Sequence, residues 1–233
     1  MKSTAFLEFF RLIVSGDIDH VSVQLRTFPE LATMSLPVGP TKSQSSDTFF
    51  IEIRHYIYGG DTALHMAAAA HSCAIAKLMM SHGADCRAKN RRGAEPLHYA
   101  SDGIESNSSS QAEVIKYLVS VGADPNVVDK SGVAPLHRAV RTRSHVAVQA
   151  LLDAGANLRQ PNKSGSTPLH LAVQTTGASG SGSDEARQRQ EIIIRLLVEH
   201  GARLSDRDSK GKTVKQAATS EWIRDLLSET KAG

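Results

Sequence analysis

The chain has 233 residues, of which 40% are hydrophobic and 5% aromatic, and it carries a formal net charge of +3. This length fits one or two domains, and so small a positive charge does not by itself indicate nucleic-acid binding. The two cysteines, Cys73 and Cys86, form neither a disulfide scaffold nor a metal-binding pattern, and no apolar run reaches the ~18 residues of a membrane-spanning helix.

The N-terminal segment predicts two helices. Apolar residues recur at helical spacing over residues 3–15, and Gly16-Asp17 separates this stretch from a second helical pattern over residues 18–27. Glu8 and Arg11 interrupt the apolar N-terminus, and no clear small-residue cleavage site follows. We therefore interpret it as an amphipathic helix of the mature protein and not as a signal sequence.

Residues 35–57 have a different composition. Residues 37–48 are polar, whereas residues 49–58 are rich in aromatic and β-branched side chains with partial alternation, which is typical of strands. We predict an enlarged hairpin or ordered loop with residues 37–48 at its tip. Its apolar side chains are expected either to pack on the N-terminal helices or to form an exposed patch for a partner, and the sequence leaves both open.

A four-residue motif with the pattern Thr/Ala-Ala/Pro-Leu-His recurs from residue 58 onward, with a glutamate at its first position in one copy. Its copies span residues 62–65, 95–98, 134–137 and 167–170, and one residue separates each copy from the preceding turn glycine, which is Gly60, Gly93, Gly132 or Gly165. The motif histidines are 33, 39 and 33 residues apart. A period of this length indicates stacked repeats and not one closed core.

A second motif, an apolar run ending in Gly-Ala, follows each copy of the first. Its copies are residues 78–85, 118–124, 151–157 and 196–202. The two motifs in this order resemble ankyrin repeats over roughly residues 58–228. The resemblance implies an all-α ankyrin-repeat solenoid of about five to six helix-turn-helix repeats, with short β-turn fingers and one β-like insertion.

The resemblance also implies a single domain over residues 1–233. Its expected parts are an N-terminal capping repeat (1–34), the insertion (35–57), central repeats (58–207) and a C-terminal capping repeat (208–233). In each central repeat the four-residue motif should begin the first helix, because proline suits a first helical turn. The apolar runs at 75–80, 114–119, 146–152 and 192–198 should form the second helices.

Extra residues lie between the helices of two repeats. We expect residues 106–109 and 177–183 to be loops, with Asp184 and Glu185 opening a second helix that starts early. The last copy has Lys215 and Gln216 at the leucine and histidine positions of the motif. Polar replacements of this kind are what a C-terminal cap requires, while Trp222, Ile223, Leu226 and Leu227 still present one apolar face.

The four motif histidines could suggest a metal or acid–base site, but a structural role is favoured. Successive repeats lie about 10 Å apart, which is too far for their histidines to share one ion. In the family that the chain resembles, this histidine and the threonine hydroxyl satisfy backbone groups. Because catalytic, metal and phosphate-loop patterns are absent from the sequence, we predict no catalytic residues, no metal and no cofactor.

Cations recur in the turns beside the glycines, which the resemblance places on fingers at the edge of a concave face. We expect these cations at the same place in successive repeats, with Arg141 and Gln174 on the floor of a basic groove. The predicted partner-binding residues are Arg91, Arg92, Lys130, Val133, Arg141, Thr142, Lys163, Ser166, Gln174 and Lys212. The alternative is a solvated face that lysines keep soluble.

The function implied is non-catalytic protein binding by a cytoplasmic monomer that acts as a scaffold, with an acidic segment of a partner protein in the groove. A second reading is a regulatory inhibitor or targeting subunit of an enzyme. Nucleic-acid binding is disfavoured, since no aromatic side chains are interleaved with the finger cations. Neither a small-molecule substrate nor a membrane is expected.

Overall fold

The computed structural model describes residues 3–37, 49–103, 108–174 and 183–229. Over these ranges the regular secondary structure is helical apart from one small sheet, as predicted. The helices are α1 (Ser3–Val14), α2 (Ile18–Thr27), a 3-10 turn (Pro29–Ala32), α3 (Ala63–Ala69), α4 (Cys73–Ser81), α5 (Pro96–Ala100), α6 (Ser108–Ser120), α7 (Pro135–Arg141), α8 (His145–Asp153), α9 (Pro168–Ala172), α10 (Asp184–Glu199), α11 (Val214–Ala217) and α12 (Glu221–Glu229). The strands are β1 (Phe49–Phe50) and β2 (His55–Tyr56).

The helices stack in two layers. The first helices of the repeats, α3, α5, α7, α9 and α11, pack successively in one layer, and α4, α6, α8 and α10 pack in the other. Helices α1 and α2 extend these layers by packing on α3 and α4. The core lies between the layers and uses small side chains where helices approach closely: Ala67, Ala100, Ala139 and Ala172 are all at most 4% exposed. The predicted solenoid is confirmed.

Local signals set the helix bounds. Proline occupies the first position of α5, α7 and α9, where its missing N–H has no helical partner to lose. Helix α10 begins early, at Asp184, and the Ser183 hydroxyl accepts from Ala186 N at 3.3 Å. The early start is therefore confirmed.

The expected loops at 37–48, 106–109 and 177–183 lie mostly outside the described residues. One part of that expectation is wrong, because Ser108 and Ser109 already belong to α6. Ser183, the described end of the third expected loop, is not helical and caps α10. Serines suit such helix starts because their hydroxyls accept from free backbone N–H groups, so the serine-rich composition did not indicate a loop there.

The insertion forms a short antiparallel hairpin, with Phe49 opposite Tyr56 and Phe50 opposite His55. Phe50, Ile53 and Ile57 are buried, and the Arg11 guanidinium of α1 lies 5.8 Å from the Phe50 ring centroid. These side chains therefore pack on the protein, as the first alternative requires. Ile51 is 69% exposed and Tyr56 44% exposed, so the solvent-facing side of the hairpin keeps some apolar surface.

The base of the insertion is closed by backbone hydrogen bonds. Leu36 N donates to Asp61 O at 2.8 Å, and Gly60 N donates to Leu36 O at 2.7 Å. The hairpin is thus an extension of the first finger. At the other end of the chain, α12 buries Ile223, Leu226 and Leu227, as predicted for the final apolar face. Among the described residues no helix has both the length and the apolar character to cross a membrane.

Candidate functional site

The fingers are the turns around Gly60, Gly93, Gly132, Gly165 and Gly211, and one backbone hydrogen bond joins each finger to the next. The bonds run from Arg91 N to Gly59 O (2.7 Å), from Lys130 N to Arg92 O (2.9 Å), from Lys163 N to Ser131 O (3.1 Å) and from Ser209 N to Ser164 O (3.0 Å). We call this series the finger ladder. Its donors lie two residues before the glycine of their own finger, so they occupy equivalent positions.

The close approach of successive fingers explains the glycines. Gly165 has φ +72°, and a Cβ placed there would lie 2.4 Å from Ser209 N. A side chain at this position would be strained by the backbone conformation and would also push the next finger away. The glycine is therefore required by the finger ladder.

The four fingers after the first are also closed from within by an Asp or Asn three residues before the glycine. Asp129 Oδ1 accepts from Ser131 N at 2.7 Å and from Val133 N at 3.0 Å. Asn90, Asn162 and Asp208 make the same pair of bonds in their fingers. These side chains satisfy backbone donors that a turn leaves free, and they make the fingers rigid.

The motif histidines link each repeat to the next, as predicted. In His98, Nδ1 accepts from Glu95 N at 3.1 Å and Nε2 donates to Val133 O at 2.9 Å. The other three histidines repeat this arrangement, with Nε2 donating to Ala94 O (His65, 3.1 Å), Ser166 O (His137, 3.1 Å) and Lys212 O (His170, 3.3 Å). All four are at most 1% exposed.

Burial determines the charge of these rings. It lowers the pKa of His65, His98 and His137 below the ordinary 6.5, and the pKa of His98 falls to about 4. Because Nδ1 accepts and Nε2 donates, these three rings are neutral with their protons on Nε2. Both ring nitrogens are occupied by backbone groups, so the histidines hold the stack together and have no free atom for a ligand.

Three of the predicted cations form a regular row. Arg91, Lys130 and Lys163 are exposed and are successive donors of the finger ladder. The expectation that Lys212 belongs to the same row is wrong, because Ser209 occupies the equivalent position in the last finger. Lys212 follows its glycine by one residue, and its carbonyl accepts from a histidine.

The remaining predicted residues divide into two groups. Val133 and Ser166 share the position of Lys212, and each offers its carbonyl to the histidine of the preceding repeat. Ser166 is only 9% exposed. The half-buried Thr142 donates to Arg138 O at 2.9 Å and accepts from Gly103 N at 2.8 Å. All three residues therefore take part in structural hydrogen bonds, Val133 and Ser166 through their carbonyl groups and Thr142 through its hydroxyl.

Arg141 and Gln174 are exposed and lie at equivalent positions, each four residues after a motif histidine. Arg141 is the last residue of α7, and Gln174 lies two residues past the end of α9. Asp102 has this position in the preceding repeat. Asp102, Arg141 and Gln174 thus occupy equivalent positions at or just past the ends of successive first helices.

A cavity of about 370 Å³ lies between the insertion hairpin, the second and third fingers and the first-helix layer. Four predicted residues line it together: Arg92, Val133, Arg141 and Thr142. The hairpin contributes Arg54, His55 and the adjoining Tyr58. We call this the hairpin cavity.

Arg92 is held at the rim of the hairpin cavity by Tyr58. Its Nη1 donates to Tyr58 Oη at 2.9 Å, and its Cζ lies 4.9 Å from the Tyr58 ring centroid. Tyr58 occupies the ladder position of the first finger, two residues before Gly60. A hydrogen bond and a cation–π contact together limit the conformations of an otherwise exposed guanidinium.

An ion pair forms the floor of the hairpin cavity. Arg138 is 7% exposed, and its Nη1 donates to Asp102 Oδ2 at 2.8 Å, with His55 Nε2 at 3.5 Å from the same oxygen. Burial alone would raise the pKa of Asp102, but Arg138 and His55 outweigh it and the pKa lies below its ordinary value. Asp102 is therefore ionised and shared between these two side chains.

A second buried network supports the cavity from below. Asp61 is fully buried, and its oxygens accept from Asn90 Nδ2 (2.8 Å), Tyr99 Oη (2.9 Å) and Tyr58 N (2.6 Å). Burial, followed by the charge of Asp61, raises the pKa of Tyr99 well above its ordinary value. The network joins the base of the hairpin to the second finger and to α5, and it holds the backbone N–H of Tyr58.

Comparison with known families agrees with this geometry. The family model described as ankyrin repeats (3 copies) matches residues 45–126 and 104–181, and the ankyrin repeat model matches residues 164–209. These matches cover more than half of the chain. The chain belongs to the ankyrin-repeat family. No curated protein matches it.

Ankyrin repeats are generally protein–protein interaction modules, and the family is typically non-catalytic. The described residues contain no group of three or more His, Cys, Asp or Glu side chains that could hold a metal ion. The exposed features described above in this ankyrin-repeat chain are the row of finger cations, the exposed residues of the first-helix layer and the hairpin cavity.

Sequence analysis missed two features of this ankyrin-repeat surface. The Asp or Asn three residues before each glycine recurs four times and could have been found by aligning the fingers on that glycine. The roles of Tyr58 and Asp61 left no such signal. Their partners Arg92, Asn90 and Tyr99 lie 29 to 38 residues away in the sequence, and the described residues of the other repeats show no equivalent arrangement.

Proposed function

We propose that this ankyrin-repeat protein binds an extended acidic segment of a partner protein along the concave face edged by its fingers. The single observation that carries the proposal is the row of Arg91, Lys130 and Lys163. These side chains are exposed and lie at equivalent ladder positions. Within the described residues no carboxylate pairs with them, so their charge is available to a partner.

The spacing of the row suits an extended chain. Equivalent positions in neighbouring repeats lie about 10 Å apart, so three fingers cover roughly 20 Å. An extended peptide advances about 3.3 Å per residue and would span this distance with about six or seven residues. A compact ligand could not reach all three cations at once, whereas a short acidic segment could.

We further propose that the chain acts as one non-catalytic, monomeric domain with the capping repeats at its two ends. A single cluster of buried apolar side chains extends from Phe6 to Leu227, which supports one continuous stack. The two cysteines are free and buried, which fits a cytoplasmic location in which thiols stay reduced.

The test is a charge reversal measured against a defined probe. The probe is a fluorescein-labelled acidic peptide of about eight residues, and its binding to the full chain is followed by fluorescence anisotropy. The double variant Arg91→Glu with Lys130→Glu should bind the peptide roughly tenfold more weakly, because two attractions become repulsions. The difference should shrink as salt is added, since exposed charges are screened.

A matched control separates the effect of the finger row, which is Arg91, Lys130 and Lys163, from the effect of the net charge of the protein. Lys116 of α6 and Arg224 of α12 are exposed and lie outside the finger row. Reversing both to Glu changes the net charge by the same amount, so peptide binding should fall much less if the row is the site. Equal losses in the two double variants would remove the row from the interface and leave only a solvated basic surface.

A further inference from the structure

The insertion hairpin covers one end of the first-helix layer. The residues directly after the motif histidines hold equivalent positions in this layer, and those of the first three repeats are at most 7% exposed: Met66, Tyr99 and Arg138. The hairpin contributes to this burial, because the His55 ring centroid lies 4.3 Å from that of Tyr99 and because Arg138 lines the hairpin cavity. The equivalent Leu171 of α9 is only half-buried. The first-helix layer is therefore more open to a partner at α9 than beneath the hairpin.

A small cavity of about 70 Å³ lies at this more open end, between the C-terminal ends of α7 and α9 and one side of α10. We call it the floor notch. Its aliphatic walls are formed by Val140, Leu171, Ala172 and Ile193, and the exposed residues of its lining are Arg141 and Gln174. Because the other lining residues are buried or half-buried, the floor notch opens to solvent beside Arg141 and Gln174.

The walls and the volume of the floor notch suit a small aliphatic side chain. Its volume of about 70 Å³ is roughly half that of a ~150 Å³ apolar cavity that accepts benzene, so a side chain of three or four carbon atoms would fill it. The buried polar side chain of the lining is that of Gln190, and its Nε2 already donates to Ala172 O at 2.6 Å and to Gln174 O at 3.1 Å. A carboxylate pushed into the notch would therefore lose its hydration without gaining a free donor from the buried wall.

Arg141 connects the floor notch to the proposed binding surface. It lines both the floor notch and the hairpin cavity, and the second and third fingers form part of the hairpin cavity. Among the described residues no carboxylate forms an ion pair with the exposed Arg141. An acidic side chain next to the aliphatic one can therefore pair with this guanidinium at the rim. The exposed side-chain amide of Gln174 can both donate to and accept from the backbone of an extended segment.

We propose that the partner segment carries an aliphatic side chain of about the size of valine, which inserts into the floor notch while acidic neighbours pair with Arg141 and the finger row. This inference rests on the proposed binding of an acidic segment, and it adds an apolar anchor to that segment. The hairpin favours this position of the anchor, because it leaves the equivalent places on α5 and α7 buried. Attraction by the cations then brings the segment to the surface, and the anchor selects its register.

The test uses versions of one acidic peptide that differ at a single position, which is alanine, valine or phenylalanine. Their affinities for the full chain are measured by isothermal titration calorimetry, and the altered position is moved along the peptide to sample the registers. In one register the valine peptide should bind about tenfold more tightly than the alanine peptide, because it buries two more carbon atoms. In that register the phenylalanine peptide should bind less tightly than the valine peptide, because its ring is too large for the notch.

The decisive variant changes the size of the floor notch. Leu171→Ala removes part of one wall, so the phenylalanine peptide should become a tighter ligand than the valine peptide. Leu196→Ala is the matched control and should keep the wild-type order of affinities, because Leu196 of α10 is also half-buried but does not line the floor notch. Thermal unfolding checks that both variants are folded. The affinity of the alanine peptide, which should stay close to the wild-type value in both variants, reports on the finger row.

The outcomes separate this inference from the proposed function. Equal affinity for the alanine and valine peptides in every register would overturn the floor notch as a binding site and leave acidic-segment binding intact. A similar gain for valine in all registers would also overturn it, because that result indicates general apolar contact. An unchanged order of affinities in folded Leu171→Ala would overturn it as well. If valine is preferred in one register but the double variant Arg91→Glu with Lys130→Glu binds as tightly as wild type, the floor notch is supported and the finger row is overturned.

Discussion

Lowering the pH from 7 to 5 should destabilise the protein through its buried motif histidines, and His98 allows the effect to be measured. The ring is neutral, and both of its nitrogens bond to backbone groups. Its pKa falls from 6.5 to about 4 in the folded state, chiefly because burial disfavours the charged ring. The stability linked to a lowered pKa is present above 6.5 and is lost as the pH falls towards 4.

The expected size follows from this difference in pKa. The gap between 6.5 and about 4 corresponds to about 3 kcal/mol once the pH is below both values. Between pH 7 and pH 5 only part of this is lost, because the unfolded ring takes up its proton while the folded ring remains mostly neutral. We expect about 2 kcal/mol of unfolding free energy to disappear over this range for His98 alone.

The assay compares urea unfolding of the wild-type protein and a His98→Gln variant at both pH values. Glutamine is the suitable replacement because Gln216 occupies the same motif position in the last repeat, where its Oε1 accepts from Thr213 N at 2.9 Å. Between pH 7 and pH 5 the unfolding free energy of the variant should fall by about 2 kcal/mol less than that of the wild-type protein. An exposed control, His200→Gln, should keep the wild-type loss. Equal losses in wild type and His98→Gln would refute the reasoning.

Two further predictions concern single positions of the repeats. Glu95 stands where two other copies of the motif have threonine, and it is 1% exposed. Its Oε2 has no hydrogen-bond partner among the described residues. Replacing it in Glu95→Thr should therefore raise the unfolding free energy, measured by thermal or urea unfolding, by about 1–3 kcal/mol. Burial raises the pKa of Glu95 above its ordinary 4.5, so the wild-type protein loses unfolding free energy as the pH rises from 4.5 through the raised pKa. The difference in unfolding free energy between Glu95→Thr and wild type should therefore widen from pH 4 to pH 7, and a constant difference would contradict this account. Gly165→Ala should destabilise by more than Gly155→Ala, since both glycines have positive φ but only the first would place a Cβ against Ser209; equal melting temperatures for the two variants would show that the finger contact is not tight.

Most of the fold could be predicted because its signals are local and repeated. The four-residue motif marks the start of α3, α5, α7 and α9, and the apolar runs mark the second helices. The role of the histidines could be predicted from the resemblance to a family in which this histidine satisfies backbone groups. When a motif recurs, the structure predicted for one copy is expected in every other copy, so each copy is a further test of the prediction.

The candidate site was only partly predictable, because its parts are not repeated. Arg91, Lys130 and Lys163 share one distance from their glycines, whereas Lys212 has another, and only the finger ladder makes the difference plain. The hairpin cavity depends on pairs such as Tyr58 with Arg92 that occur once in the chain. Contacts between distant residues that occur once leave no periodic trace in a sequence.

The position of the extra residues determines what they can change in this protein. Additions between the two helices of a repeat, as near Gly103, leave the finger ladder in register, so the chain can vary in length there while the spacing of its surface cations stays constant. The addition within the first finger has a different consequence, because the hairpin brings His55 and Tyr58 onto the side chains of the next repeats. Related stacks could therefore exchange one recognition surface for another by replacing this single hairpin, with the rest of the scaffold unaltered.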